Sequence, residues 1–92
     1  MMLEPMLKPI SIYMLKKRRK ILEIYKFMCE NKESIIGKSL KDVYDEVKRF
    51  YNASYKTFYK YHMSFLIKHG FVKVEFRGRE GLVVLDLIEV EI

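Results

Sequence analysis

The chain has 92 residues, half of them hydrophobic and 14% aromatic, which suits one domain with a modest core and excludes both a second domain and a disordered tail. Its formal charge is +6 and its pI is near 9.4, a balance that favours polyanionic partners. Cys29 is the only cysteine, which excludes an internal disulfide and argues against a metal site built on thiolates.

The positive charge is unevenly placed. Residues 1–20 carry six basic groups and one acid, residues 21–52 six of each, residues 53–81 six basic and two acidic groups, and residues 82–92 three acids and no base. Cationic character therefore gathers at the start of the chain and over residues 53–81. At the N-terminus the charges follow the apolar residues, the reverse of a secretion signal, and later apolar runs are short and broken by charge. The expectation is a cytoplasmic protein with no membrane span.

Residues 1–15 form an apolar N-terminal arm or strand. Pro5 and Pro9 argue against a regular helix there, and Ile10, Ile12 and Met14 alternate with Ser11 and Tyr13 as an extended segment would. Leu3, Met6, Leu7 and Ile10 lack a polar complement, so this arm is expected to pack on its own domain or on a second copy in a homodimer. Residues 16–92 make up the folded domain. From about Lys16 to Asn31 the spacing of Ile21, Ile24, Tyr25 and Met28 predicts a first helix. The run Lys16, Lys17, Arg18, Arg19, Lys20 near its start is either a solubilising charge run or a contact for phosphates.

Ile35 and Ile36 before Gly37 predict a very short strand and a turn. A second helix opens at Ser39, a capping hydroxyl with Asp42 three residues on, and Leu40, Val43, Tyr44 and Val47 give it one apolar face to about Phe50. After a short polar break a third helix follows, with Asn52 or Ser54 as its cap and Gly70 at its end. Its spacing puts Tyr55, Phe58, Tyr59, His62, Met63 and Leu66 on one face, and Lys56, Thr57, Lys60, Tyr61, Ser64 and Lys68 on the other. FVKVEF and LVVLDLIEVEI alternate around the turn RGREG, which predicts a hairpin with a long final strand reaching Ile92.

No catalytic constellation is present. His62 and His69 lie on one helix with no further ligand to complete a metal site; His62 is expected as a hydrogen-bonded residue at the core edge and His69 as a helix-end residue. Cys29 beside the apolar stripe is expected to be a buried, inert thiol. Phosphate-loop, nucleophile-elbow and dinucleotide fingerprints are missing. The expectation is a protein that is not an enzyme and needs neither cofactor nor small-molecule ligand.

The order helix, short strand, helix, tight turn, helix, hairpin, with MSFLIKHGFVKVEFRGREGLVVL as its most specific stretch, resembles the winged-helix family of helix-turn-helix domains. Small archaeal transcriptional regulators, including those of archaeal viruses, end their third helix in a similar way. The resemblance covers about residues 16–88 and implies an α+β winged helix-turn-helix, three helices with a C-terminal wing. It further implies binding to double-stranded DNA, with Ser54, Lys56, Thr57, Lys60 and Tyr61 in the major groove, Arg77 and Arg79 of the wing at the minor groove, and Lys38 and Ser39 on a phosphate. The alternative is a winged-helix module that binds another protein in a replication or transcription assembly.

Overall fold

The computed structural model describes residues 7–91 as an α+β arrangement of five helices followed by a two-stranded antiparallel hairpin. The helices are α1 (Pro9–Lys16), α2 (Arg19–Glu30), α3 (Lys32–Ile35), α4 (Leu40–Val47) and α5 (residues 55–68); the strands are β1 (Val72–Phe76) and β2 (Leu82–Leu87).

Residues 9–16 are helical, not the extended arm that their alternation predicts. Pro9 stands at the first helical position, where its missing N–H costs nothing and its fixed φ starts the helix. Ser11 and Leu15, four apart, form the buried side. The helix breaks at Lys17 and Arg18 before α2 begins. Leu15 and Ile21 are both buried, yet six residues apart on one continuous helix they would point about 120° away from each other. The break lets both face inward.

Helix α2 buries Ile21, Ile24, Tyr25 and Met28, the spacing that predicts it. The short strand expected at Ile35 and Ile36 is instead the helical turn α3, and the strand-like contact lies two to three residues later. Gly37 N–H donates to Val84 O (2.8 Å), Val84 N–H donates to Lys38 O (2.9 Å), and Ser39 bridges Val83. Ser39 Oγ accepts from Asp42 N–H (3.2 Å), capping α4, which ends at Val47 in a turn. Tyr44 Oη donates to Ala53 O (2.8 Å) and packs against Tyr51, Tyr55 and Phe58, fixing the bend between α4 and α5.

Ser54 caps α5 by accepting from Thr57 N–H (3.2 Å). The helix changes winding twice, α over Tyr55–Thr57, π over Phe58–Met63 and α again over Ser64–Lys68. It ends on Gly70 at φ +84°. Gly70 N–H donates to Ile67 O (3.1 Å) and Phe71 N–H to Leu66 O (2.9 Å), a Schellman closure. Phe71 then enters the core and meets Tyr25 edge-on at 5.3 Å.

The hairpin pairs Phe76 with Leu82 and Val72 with Leu87; Leu85 is the extra residue of a bulge opposite Lys73 and Val74. The long final strand expected to run on to Ile92 stops at Leu87, and Ile92 itself lies outside the described residues. Tyr25 Oη donates to Ile88 O (2.5 Å) and accepts from Val90 N–H (3.0 Å), so one phenol on α2 takes the backbone groups that a ladder would use.

Gly70 holds a left-handed conformation, and a Cβ built on it lies 3.3 Å from Leu7 Cδ2. Gly70→Ala should therefore destabilise the fold by about 1–2 kcal/mol, read as a lower midpoint in urea denaturation with an unchanged slope.

Candidate nucleic-acid interface

The break between α1 and α2 and the exposed side of α5 face each other across an open groove of about 760 Å³. Lys17, Arg18, Arg19 and Lys20 line it from the break, and Lys60 and Lys68 line it from α5. Ser64 and Tyr61 add a hydroxyl and a phenol. Every lining residue is basic, neutral polar or apolar, and none is acidic.

The winding of α5 sets this face. Phe58 and Met63 are both fully buried although five residues apart, a spacing that regular helix would spread by about 140°. π winding, which bonds residue i to i+5, returns them to one side. Tyr59, predicted on the buried face, is consequently 45% exposed. Ser64 Oγ donates back to Lys60 O (2.5 Å) where the π segment ends, and Lys60, Ser64 and Lys68 follow one another at four-residue steps along the groove.

Ion pairing divides the surface. Among the described residues Lys38 pairs with Glu46 (3.0 Å), Lys41 and Lys48 with Asp45 (3.4 Å each), Lys32 with Asp86 (3.7 Å) and Glu89 (3.8 Å), and Arg77 with Glu75 (2.7 Å). No carboxylate of the described residues pairs with the six cations of the groove. Three of those six rest on aromatic rings instead, Lys17 Nζ at 5.3 Å from the centre of Tyr13, Arg18 Cζ at 5.2 Å from that of Phe65 and Lys60 Nζ at 6.0 Å from that of Tyr61.

Both histidines stand at the groove. Tyr51 Oη bonds His62 Nδ1, and Ser11 Oγ bonds His69 Nδ1 (2.9 Å), tying α1 to the end of α5. Burial holds both imidazoles below their ordinary 6.5, with Lys20 adding to the effect at His62, and Lys68, Arg18 and Lys8 at His69. The same burial pushes the Tyr51 phenol up to about 12.

The residues singled out in the sequence divide between engaged and open positions. Lys56, Lys60 and Tyr61 are exposed on α5, with Tyr61 at 60%. Ser54 and Thr57 are engaged with each other, because Ser54 Oγ also donates to Thr57 Oγ1 (3.2 Å). Lys38 and Ser39 are occupied by Glu46 and by the α4 cap. Arg77 is held by Glu75, whereas Arg79 at the hairpin tip is exposed and without an acidic partner among the described residues. Leu3 and Met6 lie outside the described residues; Leu7 packs against its own core, and Ile10 is 57% exposed on α1. Cys29, expected to be buried, is half-buried, and burial raises its thiol. Among the described residues no three His, Cys, Asp or Glu side chains gather to hold a metal ion, and no helix is long and apolar enough to cross a membrane.

Lys17, Arg18, Arg19 and Lys20 were visible in the sequence only as a charge run, whereas helical phase already placed Lys68 on the exposed face with Lys60 and Ser64. The meeting of the two groups needs the break before α2, which leaves no simple periodic signal.

Compared with known proteins, the chain matches no family model, no curated protein and no solved structure.

Because the folded state disfavours protonation of His62 and His69, the unfolded chain binds more protons as pH drops through the ordinary histidine range. The stabilising contribution of the neutral rings is complete above about pH 6.5 and is lost as pH falls through the lower folded values. Urea denaturation at pH 7.5, 6.0 and 5.0 should show decreasing stability, and NMR titration should place both imidazole midpoints below 6.5.

Proposed function

We propose that this chain binds double-stranded DNA as a winged-helix-type domain and acts as a regulator of transcription. The observation that carries the reading is the basic groove along α5, which gathers six cations with no acidic partner among the described residues, whereas Lys32, Lys38, Lys41, Lys48 and Arg77 elsewhere are paired. Like charges gathered without counter-charge repel one another, and a polyanion relieves that repulsion while releasing its own counterions. Residues 55–68 make a rod of about 21 Å at the usual helical rise, with lysines, a hydroxyl and an exposed phenol along one side. A rod of this size suits the major groove of duplex DNA better than the deep, narrow groove of A-form RNA.

The contacts divide by chemistry. Lys17, Arg19, Lys20 and Lys68 reach phosphates, which set position and orientation. Lys56, Lys60 and Tyr61 stand where base edges would be met, and Arg79 at the hairpin tip would enter a narrow minor groove. Bidentate base readers such as Asn, Gln or Arg are absent from this face of α5, so backbone affinity and DNA shape dominate over direct readout.

Binding to a random-sequence duplex across a salt series tests the reading. Wild type should lose affinity steeply with salt, by a slope of about 0.9 per phosphate neutralised. Lys60→Glu with Lys68→Glu should abolish binding at every salt concentration. Lys41→Glu with Lys48→Glu, an equal change of charge on the paired surface, should leave most of it. Equal loss in both double variants would show that net charge alone is responsible, and failure of wild type to bind at low salt would remove the DNA reading.

A further inference from the structure

Arg18 differs from the other cations of the groove. It lies in the break between α1 and α2, and its guanidinium rests on Phe65 of α5 at 5.2 Å from the ring centre, so it reaches across from one wall to the other. Phe65 is itself fixed from two further sides, by His69 at 4.4 Å and by Phe71, stacked at 6.5 Å. A guanidinium seated over a ring offers N–H groups in a fixed fork, whereas a lysine ammonium on a flexible stem must be ordered on binding. Nearby, α2 begins with no side chain on its first amides and no acid in its first turn, leaving the N–H groups of Arg19, Lys20 and Ile21 without intrahelical partners.

We propose that Arg18, held on Phe65, is the anchor of an oxyanion seat in this groove that grips one phosphate group through two parallel N–H···O bonds. Lys17, Lys20 and Lys68 supply charge around it, and the first amides of α2 face the same anion. The seat rests on the nucleic-acid reading for its natural ligand, a backbone phosphodiester. Its role in that reading is to fix the register of the duplex on the protein, since a bidentate contact has a direction that a point charge lacks.

The test compares wild type with Arg18→Lys, Phe65→Leu and the double variant, each confirmed folded by thermal melting, for affinity to one duplex across a salt series. Arg18→Lys keeps the charge and loses the fork and the stack, so it should bind about tenfold more weakly, the value of one charge-assisted hydrogen bond, with an unchanged salt slope. Phe65→Leu should weaken binding in the same way, and the double variant should be no weaker than Arg18→Lys alone, because both changes remove one unit. Inorganic phosphate titrated against labelled wild type should shift the amide signals of Arg19, Lys20 and Ile21, with the shifts lost in Arg18→Lys. Arg18→Lys binding the duplex within about twofold of wild type would overturn the proposal while leaving DNA binding intact. Absence of duplex binding together with phosphate shifts that depend on Arg18 would keep the seat, assign it to a small phosphate ligand and remove the DNA reading. Absence of both would remove the two together.

Discussion

Phe58, Met63 and Leu66 must all reach the core from α5, and regular helical winding would spread the first two by about 140°. The π segment across Phe58–Met63 resolves that conflict, and its consequence appears on the opposite side of the helix. Once the buried residues are brought into line, Tyr59 turns outward, while Lys60, Ser64 and Lys68 keep the row that their four-residue spacing gives. π turns persist where the surrounding structure compensates for their poorer geometry, often at functional positions. Here the compensation is the burial of two large side chains and the Schellman closure at Gly70.

The second wall depends on an equally local event. Five consecutive cations, Lys16 to Lys20, would wind around all sides of an uninterrupted helix. The break at Lys17 and Arg18 folds this run into a corner, with Leu15 and Ile21 as its buried anchors. Ser11 then bonds His69 and Arg18 rests on Phe65, so the corner is attached to α5 at two points. The Arg18–Phe65 contact contributes little singly, about 0.5–1 kcal/mol. Together with the packing of Leu15 the two hold several like charges side by side, an arrangement that electrostatics alone would disperse.

Elements whose cause is local were legible in the sequence. The i, i+3, i+4, i+7 spacing of Ile21, Ile24, Tyr25 and Met28 is sufficient to specify the buried face of α2, and Ser39, Ser54 and Gly70 act as the caps their residue types imply. Features caused by distant contacts were not. Residues 9–16 are helical because Pro9 can begin a helix as readily as it interrupts one, and the choice is decided by Ser11 and Leu15 finding partners far along the chain. The final strand stops where Tyr25, more than sixty residues earlier, captures Ile88 and Val90. At the candidate site, Lys56, Lys60 and Tyr61 were readable from helical phase, whereas the engagement of Lys38 by Glu46 and of Arg77 by Glu75 needed the folded chain.

The distribution of ion pairs gives the surface its direction. Exposed pairs contribute little to stability, so pairing Lys38, Lys41, Lys48 and Arg77 changes the fold only slightly. Its larger effect is on the field around the molecule. Acids beside those cations cancel their charge at short range, while the groove keeps its own uncancelled, and salt screens that charge over a Debye length of about 8 Å. The groove between α5 and the α1–α2 corner therefore presents positive charge that no ion pair among the described residues offsets. Asp45, Glu46 and Glu75 sharpen that contrast from outside the groove.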